Sequence, residues 1–242
     1  MATIRYPRFE PCSGQNQQAG AQVTLRLSDL VVHVRADDFD SIRLSAAPRA
    51  ALSHVEDLVR RQEPATSLRV RDVLRRAGCR LETYREAIEC VRGHARVVVH
   101  FHPDRIGNTP TTVAEALLEE GIYRNQFETG ISAGGLSAFP GGLRDTWERT
   151  LFGGAYHTED VTDSERPKYG ALELVRYSDG PMPRFGSCYL VLQPSVTRRT
   201  SFTFAGSEDP RATEQLGTID RMENVMAGLF AEIEGGAMAA PP

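Results

Sequence analysis

Two histidines stand two residues apart at the end of a dense apolar run, Val97-Val98-Val99-His100-Phe101-His102, which stops at Pro103-Asp104-Arg105. Such a run reads as a buried strand, and the i, i+2 spacing sets both imidazoles on one of its faces. Imidazoles so placed can bond the hydroxyls of a ligand, move a proton or, with Asp104 close by, ligate a metal; satisfied core or turn histidines are the competing reading. Downstream, Gly153-Gly154-Ala155-Tyr156-His157 leads to Ser164-Glu165-Arg166-Pro167-Lys168-Tyr169-Gly170. Tyrosine rings there suit a flat cation, each worth about 0.5–2 kcal/mol, although a single tyrosine is as readily a packing residue. Arg105 has the fork geometry that grips a pyrophosphate, or else makes a surface ion pair.

These residues need elements to carry them. The strand over residues 97–102 ends where Pro103 cannot donate to a ladder. Residues 111–120 predict a short helix, with Thr111 or Thr112 as N-cap and Gly121 as its left-handed stop. Between Tyr123 and Gly142 the glycines at 130, 134, 135, 141 and 142 predict a loop with close backbone approach to something. Asp145 to Leu151 reads as a helical turn carrying Trp147, the chain's single tryptophan. Strands are expected over 171–175, 187–192 and 200–204 as antiparallel neighbours, and a last helix over 222–233.

Ahead of the histidine strand, residues 1–22 have the polar, Gln- and Gly-rich composition of a mobile arm. Residues 23–27 and 30–34 alternate as short strands, with His33 a half-buried strand residue. From Ser45 the period becomes helical. Ala50, Leu52, Val55, Leu58 and Val59 share one face until Pro64 interrupts, Val70, Val73 and Leu74 form a second pattern stopping near Gly78, and Leu81, Tyr84, Ile88 and Val91 form a third stopping near Gly93. The expected organisation is therefore an arm over 1–22, a mostly helical region over 23–95, a catalytic domain over 96–234 and a tail over 235–242, in an α+β fold.

With 242 residues, 25% charged and 40% hydrophobic, the chain can bury its own core, and it has no apolar run near the roughly 20 residues of a membrane span. The first residues lack the apolar centre of a secretory signal, so a cytoplasmic protein, or an effector delivered by another route, is expected. A formal charge of -4 gives no basic footprint for a phosphate backbone. Cys12, Cys79, Cys90 and Cys188 are widely separated, which fits buried thiols rather than a zinc knuckle or disulfide framework.

The order of these pieces resembles the ADP-ribosyltransferase fold of diphtheria-type toxins and poly(ADP-ribose) polymerases. In that pattern a strand ends in His-Gly-Ser/Thr, a helix leads to an Ile-Leu-x-x-Gly-Leu phrase, and Gly-Ile-Tyr-Phe precedes Ser-x-x-x-Tyr. The matching pieces are His102, then Ala116-Leu117-Leu118-Glu119-Glu120-Gly121-Ile122, then Gly154-Ala155-Tyr156-His157, then Ser164 to Tyr169. Its His-Phe-His-Pro-Asp-Arg, Arg-Pro-Lys-Tyr-Gly and Arg-Phe-Gly-Ser-Cys-Tyr phrases are also similar to a bacterial family of unknown function.

The first resemblance implies an ADP-ribosyltransferase-like mixed or antiparallel β core and a transferase, toxin or effector, that passes ADP-ribose from NAD to a protein or nucleic-acid acceptor and releases nicotinamide. It implies that Tyr156 and Tyr169 sandwich the nicotinamide, that His102 bonds the ribose hydroxyls, and that Ser164 forms the pocket floor, with His100, Arg105 and Gly154 also contacting NAD. Pro103-Asp104 departs from the Gly-Ser/Thr of the pattern. The final acid falls to Glu208, with Asp209, Glu173 and Asp220 as rivals; without it the chain would only bind or hydrolyse NAD. Chemically the demand is that of glycoside cleavage, in which an oxocarbenium-like ribosyl centre is held and the leaving ring oriented. The alternative activity is a metal-dependent hydrolase built on His100, His102 and Asp104.

Overall fold

The computed structural model describes residues 3–5, 44–131, 137–175 and 177–234. The expected strands over 23–27 and 30–34, with His33, and the tail over 235–242 lie outside the described residues. Within the stretch read as an arm, Thr3–Arg5 form a strand, β1, so at those positions the arm is corrected.

One long helix, α1 (Ala46–Arg76), replaces the two short ones expected on either side of Pro64. A proline inside a helix removes one bond and costs about 3 kcal/mol. Packing outweighs that cost here, because the buried residues Ala47, Ala51, Val55 and Val59 continue on the same face as Thr66, Val70 and Leu74. Seven residues separate Val59 from Thr66, two helical turns, so the stripe crosses the proline in register. Helix α2 (Leu81–His94) follows.

The histidine strand is β2 (Arg96–Phe101), buried along all but its first residue, with His102 just past its end. Helix α3 (Val113–Glu120) is capped as expected, with Thr112 and Glu115 exchanging hydrogen bonds in a capping box and Gly121 left-handed at φ 68°. The stretch read as a loop contains one helical turn, α4 (Gln126–Thr129), and helix α5 (Leu143–Leu151) comes next.

Strand β2 is central. It pairs antiparallel with β3 (Ala171–Glu173) on one side and β4 (Cys188–Val191) on the other, and β1 extends the sheet beyond β4. The expected 171–175 strand ends early, and Leu174 and Val175 are exposed. The third expected strand leaves this sheet: after a turn of helix, α6 (Pro194–Thr197), β5 (Ser201–Thr203) pairs with β6 (Leu216–Thr218), which the sequence reading lacked. Helix α7 (Glu223–Glu234) closes the described chain and lies along α1 and β6. The architecture is α+β.

Two apolar centres result. In the larger, Val55 and Val59 of α1 meet Leu151, Phe152, Tyr156 and Leu216; in the smaller, Phe101, Cys188 and Leu190 meet the inner face of α3. No described helix is long and apolar enough to cross a membrane.

Candidate functional site

Register decides which predicted residues meet. Arg96 faces Glu173, Val97 faces Leu172 and Val98 faces Ala171, so the chain entering β3 runs back along the histidine strand. At Gly170 it lies so close that a Cβ there would sit 2.6 Å from the Val98 carbonyl oxygen. The pairing begins at Ala171, and Tyr169 directly precedes the Gly170 that lies against Val98.

The two histidines have different fates. His100 is buried, and both its ring nitrogens are spent: Nδ1 donates to the Gly186 carbonyl at 2.9 Å and Nε2 accepts from the Met182 N–H at 3.2 Å. Its ring also lies 5.3 Å from that of Tyr189. His100 is therefore a structural residue that pins the 180–186 loop to β2, which corrects its placement among the NAD contacts. It also removes a member of the proposed metal set, and among the described residues no group of three or more His, Cys, Asp or Glu could hold an ion. His102 is half-buried, and its imidazole has no hydrogen-bond partner among the described residues.

The tyrosines also separate. Tyr156 is 6% exposed and packs edge-on against Phe152, ring centroids 5.3 Å apart, beneath α1. Burial, with the Glu148 and Glu165 carboxylates, pushes its phenol well above the usual range. The expected two-ring sandwich is corrected: α1 needs a covering for Val55 and Val59, and Tyr156 supplies it. Tyr169 is half-buried, with its hydroxyl donating to Glu148 Oε1 at 3.0 Å and the Arg144 guanidinium 4.3 Å from its ring centre. Burial first, then the Glu148 charge, raises its phenol pKa against the opposing pull of Arg144.

Beneath Tyr169 lies a polar network that the sequence reading did not contain. Helix α5 buries Asp145 and Glu148 one turn apart. Arg166 lies between them, Nη1 at 2.7 Å from Asp145 Oδ1 and 3.0 Å from Glu148 Oε2, with its guanidinium over the Phe127 ring. His157 Nε2 stands 2.9 Å from Asp145 Oδ1 and 3.1 Å from the Asp145 carbonyl oxygen, both acceptors, so Nε2 carries the proton. Glu148 is fully buried, and that burial raises its pKa despite Arg166 and Tyr169. Burial presses Asp145 the same way, but the Gly141 N–H and Arg166 outweigh it and the net shift is downward. Oppositely shifted neighbouring acids are a pattern of catalytic sites and also of structural ion networks. The sequence signal was the Asp-x-x-Glu spacing on α5, invisible as a buried pair until Arg166 comes to meet it.

The remaining predicted residues are spread over several segments. Glu208 is exposed, its carboxylate folded against Gly206, and its neighbour Ser207 accepts a hydrogen bond from Arg144 Nη1 at 2.9 Å. The loop carrying the predicted acid thus touches the same arginine that stacks on Tyr169. Of the rivals, Asp209 is engaged with Arg211 at 3.1 Å, Asp220 is 3.6 Å from Arg92, and Glu173 faces Arg96 in the sheet. Ser164 is exposed and its hydroxyl is 2.9 Å from that of Thr162. Gly154, at φ 78°, ends α5. Arg105 is half-buried, and its carbonyl accepts from the first residue of α3 at 2.9 Å.

Residues 96–237, from the start of β2 past the end of α7, match the model of the family described as "Protein of unknown function (DUF3626)". The chain belongs to that family. No curated protein matches it. The DUF3626 match contains His102, the Asp145–Glu148–Arg166–Tyr169 network and Glu208, while α1 and α2 precede it.

Proposed function

We propose that the chain is an NAD-dependent ADP-ribosyltransferase whose donor site lies where β2 ends at His102. The observation that carries this reading is the β2–β3 pairing with the close approach of Gly170 to Val98, which brings the residue next to Tyr169 against the histidine strand. Two further observations fit a dinucleotide there: the imidazole of His102 is unengaged among the described residues, and Arg144 Nε is buried without a partner. In this account His102 bonds the ribose hydroxyls, the single ring of Tyr169 packs the nicotinamide, and Arg144 joins that ring to the Ser207-Glu208 loop. Glu208, exposed in that loop, takes the ribose 2′-hydroxyl and orients the acceptor. The bond from nicotinamide nitrogen to the ribose anomeric carbon breaks, the ring leaves with the bonding electrons, and the acceptor nucleophile takes its place and gives up a proton. The acceptor is a protein or nucleic-acid group.

His102→Ala and Tyr169→Ala test the assignment, with circular dichroism to establish folding. Each folded variant is expected to lose nicotinamide release by about a hundredfold or more, the scale of a lost positioning or proton-handling group. A folded variant with near-normal turnover removes that residue from the site. Binding of NAD by the unaltered chain without release would instead make it a nucleotide-binding module.

A further inference from the structure

A second site, independent of the first, lies between α2 and α7. There an apolar cavity of about 650 Å³ opens, lined by Leu74, Ala87, Met226, Phe230 and Ile233. A smaller polar cavity of about 270 Å³ adjoins it, and Tyr84 lines both. The larger volume lies within the roughly 300–1,000 Å³ of small-molecule pockets. At its far end Arg76 reaches across from α1 to Glu234 Oε1 at 2.6 Å, closing the groove with an ion pair.

The polar end holds two atoms with unmet demands. Tyr84 Oη and Glu223 Oε2 are both buried and have no hydrogen-bond partner among the described residues. Burial first and then the Glu223 charge push the Tyr84 phenol up to about 12. Leaving such atoms unpaired is costly, more so where the group is charged. Glu223 Oε2 can only accept hydrogen bonds, whereas Tyr84 Oη, which keeps its proton, both donates and accepts. Of the cations lining the polar cavity, Arg92 is bonded to Glu89 and to the Ile219 and Asp220 carbonyls, its charge opposing the upward shift of the Tyr84 phenol, and Arg85 is exposed to solvent; neither hydrogen-bonds Glu223 Oε2.

We propose that this cleft binds an amphiphilic small molecule with an aliphatic or aromatic body and a protonated amine head, the body lying against Phe230 and Met226 and the head between Glu223 and Tyr84. An ammonium group has several donors, enough to reach both Glu223 Oε2 and the lone pair of the Tyr84 oxygen, and a charge opposite to that of Glu223; an alcohol offers one donor, and a carboxylate is repelled by Glu223.

The test uses calorimetric titration of the full chain with decylamine, decanol and decanoate below their micelle-forming concentrations. Decylamine is expected to bind one molecule per chain about tenfold or more tighter than decanol, the difference between a charge-assisted and a neutral hydrogen bond, and decanoate not to bind. Glu223→Gln is expected to abolish the preference for the amine while decanol still binds. Ala87→Trp, a change at an exposed groove position, is expected to block both, with helical circular dichroism unchanged. Equal affinity for amine and alcohol, binding undisturbed by Ala87→Trp, or no binding at all would overturn the proposal. Binding that appears only after residues 235–242 are removed would overturn it too, by assigning the groove to the chain's own tail.

Discussion

Arg166 is held by two carboxylates and a ring, and removing one carboxylate leaves a buried cation short of charge. Glu148→Ala is therefore expected to lower unfolding stability by about 3–5 kcal/mol, read by urea titration. Glu148 also sets a pH dependence. Its folded pKa is raised, so the stability it contributes is complete below its unfolded pKa and declines as pH rises through the folded value. Asp145, held low chiefly by the Gly141 N–H and Arg166 against its burial, contributes above its unfolded pKa and loses that contribution as pH falls. Glu148→Gln should accordingly gain on the unaltered protein as pH climbs from acid to neutral in parallel urea titrations; a constant difference between the two would contradict the assigned shift. None of this was legible in the sequence, because Asp145 and Glu148 have the look of any solvated helix pair. His100 and Tyr156 carried the same outward signs in the sequence as His102 and Tyr169 and were taken by the interior.

Helix α1 shows how an element can override a local rule. The sequence marked Pro64 as a break, and the break failed because the buried stripe runs through it in register, with α1 packed against α7, β6 and the Leu151–Tyr156 segment. Pro64 is itself exposed, so Pro64→Ala restores a backbone bond without disturbing packing. It is expected to stabilise the protein by about 1–3 kcal/mol, less than the full proline penalty because the more flexible unfolded chain gains entropy. A fall in thermal midpoint would show that the kink itself is needed. Helix α3 followed its sequence signals closely, since a capping box and a left-handed glycine are settled within ten residues. The strands were less legible: nothing within residues 200–204 told that β5 would leave the histidine strand for β6, a pairing decided by a segment some fifteen residues away.

At the scale of the whole molecule, the DUF3626 match begins at β2, yet the larger apolar centre is completed by α1, which lies ahead of it. Leu216, Tyr156 and Phe152 are packed against Ala47, Ala51, Val55 and Val59 of α1 in that centre. A chain beginning at Arg96 is expected to expose that surface and to lose the cooperative thermal transition of the full protein, measured by circular dichroism and gel filtration. A monodisperse, cooperatively melting fragment would make α1 an appendage instead. The α+β class and the helices over residues 46–94 were legible from periodicity. The split into two sheets, with β2 central in the larger, was not.

The proposal that the His102 end of β2 is a donor site for NAD is tested most directly by incubating the purified full chain with NAD and quantifying free nicotinamide by chromatography. The account predicts nicotinamide accumulating with time and in proportion to protein, and none of it from His102→Ala. NAD left intact by the folded chain, with a nucleic-acid or protein acceptor present, would contradict it.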